Sequence, residues 1–248
     1  MQDKLKSILI RVIFPLLFWL SVWQILALII DHRFLLPTIP DTFSALGELV
    51  SDKGFYIAVS LSLLRVVIGL IIGIILGCCI AFLCNYSSVA SALILPIISV
   101  IKSTPVASFI VVLWVMMSGD ALSIFIGVLM VMPIISQNLL DGFGAIDHLL
   151  VEVTQVFEMS RICRFKLLIL PTLKKYFVPA VVTSVGLAWK AEIAAEIIAY
   201  TKRSIGQGIN DAKYNLDTPT VFAWTLVIIT FSIILEKCTR ALVRRWSR

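Results

Sequence analysis

Charge is scarce in this sequence. Asp, Glu, Lys and Arg make up 15% of the 248 residues and hydrophobic residues 60%, whereas soluble domains run at about 25% and about 45–50%. That balance excludes an ordinary soluble domain and points to helices surrounded by lipid. Histidine is rarer still: His32 and His148 stand alone, so no metal or imidazole chemistry is expected at either. The five cysteines lack zinc-ligand spacing, and Cys78, Cys79 and Cys84 share one apolar segment while Cys163 and Cys238 lie in basic flanks. An odd number so placed is no disulfide framework, and they read as packing residues. No G-x-x-x-x-G-K-[ST] run occurs, so the chain has no P-loop to hold nucleotide phosphates. No Pro/Ser-rich or charged linker divides it either, so residues 1–248 read as one domain.

Long hydrophobic runs are abundant. VIFPLLFWLSVWQILALII (12–30) carries no charge and is long enough to cross a bilayer. Lys4, Lys6 and Arg11 precede it, as in a signal peptide. The run exceeds a usual signal core and no A-x-A-like site follows, so a retained helix is expected. Further spans are expected near 59–84, 93–118, 121–140, 176–200 and 220–238. The fold class is therefore all-α: a polytopic membrane protein of about six transmembrane helices.

The net charge of +6 is distributed as membrane flanks are, which argues against nucleic-acid binding. Thirteen Lys/Arg fall in segments 1–11, 85–92, 141–175 and 237–248, and five (Arg33, Lys53, Lys202, Arg203, Lys213) in the opposite loops. The positive-inside bias places both termini in the cytoplasm.

Within the spans, Gly69, Gly73, Gly77 and Ala81 recur every four residues and make a smooth ridge for a neighbouring helix. Pro96 and Pro105 bracket Lys102 in PIISVIKSTPV, so the third span is expected to be bent or broken. In the first outer loop, Phe43, Leu46 and Val50 share a helical face after Asp41 and Thr42 as possible caps. A short surface helix follows, either a connector or a partner-binding element.

GLAWKAEIAAEII (186–198) places Lys190, Glu192 and Glu196 inside an apolar helix. Each such group costs about 2.5–3.5 kcal/mol at a span's centre, so they should face the bundle interior, a watery cavity or one another. At 100° per residue Glu192 and Glu196 share a face, while Lys190 is 200° from Glu192 and 120° from Glu196. Glu196 or a group on another helix is the better partner for Lys190. Three readings stay open: interhelical pairs, a gate or pathway role for Glu196, and solute contact by Lys102 and Lys190.

DHLLVEVTQVFEMSRICRFKLLILP (147–171) lies between the fourth and fifth spans. Asp147 can cap a helix carrying Leu149, Leu150, Val153, Val156 and Phe157 on its apolar face, with Glu152, Gln155 and Glu158 largely opposite. Such a helix can lie on lipid or dock in a partner's groove.

This segment resembles the EAA loop of binding-protein-dependent ABC transporter permeases, where EAA, three residues, Gly, nine residues and I-x-LP mark the ATPase-docking loop. Glu152, Val153 and Thr154 take the EAA places, and Leu168, Leu170 and Pro171 those of I-x-LP. Glu158 stands where the family has glycine, at a cost of about 1 kcal/mol if the turn is kept. LLPTIPDTFSAL, PIISVIKSTPVASFIVVLW and GLAWKAEIAAEII are similar to the nitrate/sulfonate/taurine-type branch, over about residues 10–245, with a permease core of about 55–245.

The resemblance implies an importer subunit that performs no covalent chemistry and binds no cofactor itself. ATP and Mg would sit on two cytoplasmic ATPase subunits, and an external binding protein would deliver solute to a homodimer of this chain. It assigns Glu152, Val153, Thr154, Glu158, Arg161, Leu170 and Pro171 to ATPase coupling. Lys102, Pro105, Trp189, Lys190, Glu192 and Glu196 are candidates for the pathway or gate. The outer segment TKRSIGQGINDAKYNLDTP, in which Gly206 and Gly208 frame a turn before a short helix, offers those glycines with Asp211 and Asp217 for binding-protein docking. The solute expected is a small anion, sulfonate, zwitterion or vitamin precursor. The rival is a self-sufficient secondary transporter or channel using Lys102, Glu192 and Glu196 as an ion relay; the halves show no internal repeat to favour it.

Overall fold

The computed structural model describes residues 13–246 except 31, 33 and 118. Lys4, Lys6, Arg11, Val12, Arg33 and Arg248 lie outside the described residues. All regular structure in the described residues is helical.

Helix α1, Phe14–Ile30, is 17 residues long, about 25 Å, and short for an untilted crossing. Helix α2, Ile39–Ser51, starts at Thr38, whose hydroxyl accepts from the Asp41 N–H. The cap is thus Thr38, and the expected caps lie inside: Asp41 in the first turn and Thr42 fully buried. The apolar face also differs from the expected one. Leu46 and Leu49 pack on the core, while Phe43 and Val50 stay exposed.

Helix α3, Lys53–Tyr86, begins after a one-residue link at Asp52 and runs 34 residues, so the second span starts earlier than expected. Helix α6, Asp120–Gly144, packs against it along the expected ridge. A Cβ at Gly73 would lie 2.6 Å from the Val131 Cβ, and one at Gly77 2.7 Å from the Ile135 Cβ. Only glycine lets the two backbones come so close.

Between them, α4 (Ser88–Ser103) and α5 (Val106–Trp114) meet at 100°. The helix runs through Pro96 and breaks before Pro105, where Thr104 is extended (φ −84°, ψ 133°). A proline ring pushes the preceding residue out of the helical region, so one of the two prolines sets the break.

Helix α7, His148–Val156, and the short α8, Arg161–Arg164, lead through a π-turn at Phe165–Ile169 into α9, Leu170–Ile198. Leu170 and Pro171 therefore open the fifth span. Helix α10, Ile205–Tyr214, then caps one end of the bundle and α11, Thr218–Trp246, closes it.

Helices α3, α6 and α11 are long and apolar enough to cross a membrane, and α4 with α5 form a broken span or re-entrant loop. Helix α9 has the length, 29 residues, and carries Lys190, Glu192 and Glu196 in its second half. It is the central helix: α3, α5, α6, α10 and α11 all pack on it. One core cluster joins Phe55, Val59 and Val66 of α3 to Trp189, Ile193 and Trp224. A second joins Val131, Ile135 and Leu139 of α6 to Leu173 and Ala180, and a third sets Ile110 of α5 against Ala191 and Ala195.

Candidate functional site

Glu196 lies in the last turn of α9, 1% exposed, and is held by three residues from two other helices. Arg65 Nη1 of α3 donates to it at 2.8 Å, Ser62 Oγ stands 2.8 Å from both its oxygens, and the Gly206 N–H of α10 donates at 3.3 Å. Arg65 is itself divided. Its Nε donates to Asp120 Oδ1 at 2.8 Å and its Nη2 to the Lys202 carbonyl at 3.3 Å. The pair is buried, with side chains 5% and 1% exposed, while Asp120 is 70% exposed. A buried ion pair adds little net stability, but removing one partner costs about 3–5 kcal/mol by stranding the other charge. Arg65, Ser62 and Asp120 were not among the expected site residues. An arginine inside an apolar run is itself the signal that could have raised Arg65.

Glu192, one turn earlier, shares the buried face as its spacing required. It is 1% exposed, yet neither carboxyl oxygen has a hydrogen-bond partner among the described residues. The carboxyl is wedged at the α3–α6 seam. A Cβ at Gly69 would fall 2.5 Å from Oε1, and one at Gly127 1.8 Å from it. Those two glycines make the room the side chain occupies.

Lys190 points the other way and is exposed. Of the partners considered for Lys190, Glu196 is taken by Arg65, and Lys190 forms no ion pair with another helix among the described residues. Trp189, expected near the pathway, is 0% exposed and donates its indole N–H to the Ile228 carbonyl of α11 at 3.1 Å. It is a core residue. Lys102 is exposed at the end of α4, one turn before the Pro105 break.

At the opposite end, Asp147 caps α7 by accepting from the Leu149 N–H at 2.9 Å. The apolar stripe is laid open: Leu149 is 68%, Val156 81% and Phe157 72% exposed. Glu152, Val153, Glu158 and Arg161 are exposed beside it, while Thr154 is buried. Glu158 adopts φ 48°, its N–H donating to the Gln155 carbonyl at 2.9 Å and the Met159 N–H to the Thr154 carbonyl at 3.0 Å. These two bonds define a left-handed helix cap that favours glycine. The turn is kept, with a glutamate forced into it.

On the α10 side, Gly206 and Gly208 lie within the helix, not in a turn before it. A Cβ at Gly206 would fall 2.4 Å from the Glu196 carbonyl carbon, and one at Gly208 2.5 Å from the Trp224 ring. Both are packing positions, and Gly206 is buried. Asp211 and Asp217 are exposed and border an open cleft of about 690 Å³ with Asp52, Phe55, Arg203 and Trp224. The Tyr200 hydroxyl donates to Asp211, whose carboxylate pushes the phenol above its ordinary value.

An all-helical membrane bundle with a charged knot inside one end and an open amphipathic helix at the other has the form of a transport permease. Residues 69–248 match the family of binding-protein-dependent transport system inner membrane components, and the chain belongs to it. It is 24% identical over 230 residues to the taurine transport system permease protein of Escherichia coli (strain K12), covering 90% of this chain and 83% of that one. The nitrate import permease protein of Synechococcus elongatus (strain ATCC 33912 / PCC 7942 / FACHB-805) is 28% identical over 227 residues, covering 86% and 79%. A putative aliphatic sulfonates transport permease protein of Bacillus subtilis (strain 168) is 22% identical over 229 residues, covering 91% and 82%. The chain is thus a multi-pass membrane permease of the ABC importer class.

Proposed function

We propose that two copies of this chain form the solute pathway of an ABC importer, driven by two separate cytoplasmic ATPase subunits that carry ATP and Mg. The observation that carries this is α7, a capped helix between two spans with its apolar face exposed. A helix of nine residues is marginal alone, and one so open fits a groove on a partner. The α7 end and both termini then lie in the cytoplasm, where the basic flanks belong.

On this reading Glu152, Val153, Thr154, Glu158 and Arg161 meet the ATPase, and Leu170 and Pro171 pass its movement into α9. At the outer end Glu196 and Arg65 tie α9 to α3 and α10 and act as the gate, with Asp211 and Asp217 facing a binding protein. The solute is a small anion, sulfonate, zwitterion or vitamin precursor.

The test is an affinity pull-down of the tagged chain from native membranes in mild detergent, with partners identified by mass spectrometry. An ATPase should come down with it and be lost when Glu152→Lys and Glu158→Lys are introduced together. Recovery of the chain alone would overturn the reading, and retention of the ATPase by the double variant would displace α7 as the coupling element.

A further inference from the structure

Helix α9 is packed on nearly every side, and what it leaves open is one line. From Pro171 to Lys190 its exposed residues are Pro171, Lys175, Pro179, Thr183, Leu187 and Lys190, each following the last by four or three positions. Steps of four advance about 40° each, so the ridge winds slowly round the helix, and Thr183, Leu187 and Lys190 share a sector of about 60°. Around that sector Ser184, Val185, Gly186, Ala188 and Trp189 are buried, and α9 as a whole packs on α3, α5, α6, α10 and α11.

Lys190 ends this stripe, eight residues, or about 12 Å, short of the α9 terminus. An ammonium at that depth does not belong against lipid. Nor does it form an ion pair among the described residues of its own chain. Glu192 and Glu196 are turned into the bundle, and Glu196 is engaged by Arg65. Lys102 differs, because α4 is exposed on most of its sides and its surface selects no single direction.

We infer that the α9 stripe is the wall of the solute pathway and that Lys190 is its solute-facing cation, selecting an anionic group such as a sulfonate, carboxylate or oxyanion. This rests on the importer reading and deepens it. Two copies related by a two-fold axis set two ammonium groups across one passage, with Thr183 two turns further in as a neutral hydroxyl. A water-filled cleft lined by one sign of charge concentrates the opposite ion by tenfold or more.

The stripe can be probed without knowing the solute. In the assembled importer in vesicles, with the five native cysteines replaced, Thr183→Cys and Leu187→Cys are made separately. Each is treated with an anionic reagent, sulfonatoethyl methanethiosulfonate, and a cationic one, trimethylammonioethyl methanethiosulfonate. Rates are normalised to those of a free thiol. Both introduced thiols should react, with the anionic reagent favoured about tenfold. Lys190→Gln should abolish that preference and Lys190→Arg should keep it. Reaction without preference, or a preference that survives Lys190→Gln, would overturn the role of Lys190 while leaving the pathway reading intact. If neither thiol reacts in any nucleotide state, the stripe is covered and the pathway assignment falls with the proposal.

Discussion

Glu158→Gly should order the end of α7. Glu158 sits at φ 48° with both bonds of the left-handed cap in place, and an L-residue there costs about 1–2 kcal/mol through its Cβ and carbonyl. Glycine removes that cost, part of which returns as the extra freedom of the frayed chain. A net gain of about 1 kcal/mol remains, which lowers the frayed population about fivefold. Amide hydrogen exchange of the permease in nanodiscs reads this directly: the Phe157–Met159 amides should exchange about fivefold more slowly. Glu158→Gln is the control, since it removes the charge and keeps the Cβ; it should leave those amides within about twofold. Equal or faster exchange in the glycine variant would refute the strain argument, and so would a glutamine variant that reproduced the slowing.

Other consequences can be measured on the same material. Arg65→Met strands the buried Glu196 carboxylate and should cost about 3–5 kcal/mol, seen as a fall in the thermal midpoint; adding Glu196→Gln should recover part of it. Gly127→Ala places a Cβ 1.8 Å from the Glu192 Oε1 and should destabilise the bundle in the same assay. Glu192→Ala should rescue that variant, whereas independent, additive losses would show the seam is not filled by Glu192. Asp147→Ala removes the cap of α7 and should cost about 1 kcal/mol, read as faster exchange at Leu149.

The helix content, the Asp147 cap, the glycine ridge and a break in the proline-bracketed third span were legible in the sequence, because each depends on residues close along the chain; which of Pro96 and Pro105 sets the break was not. Spacing also told that Glu192 and Glu196 share a buried face and that Lys190 does not. What it could not supply was the partner. Arg65 and Glu196 are 131 positions apart, and nothing in either segment names the other. The burial of Trp189 was out of reach for a related reason, since it depends on where α11 returns. Thr38 was passed over because Asp41 and Thr42 are equally good caps by type, and only the backbone turn decides among them.

Helix α10 has an unusual way of starting. The N–H groups of its first two residues are spoken for by other elements, Ile205 by Ser62 Oγ at 3.1 Å and Gly206 by the Glu196 carboxylate. With no side chain at Gly206 to hold it off, the helix seats directly on the end of α9. Mechanically, α9 and α10 form a crank with a pinned elbow. The short arm cannot lift or swivel without stripping those bonds and uncovering the Arg65–Glu196 pair, so a load on α10 is carried at once by α9, through Glu196, and by α3, through Ser62.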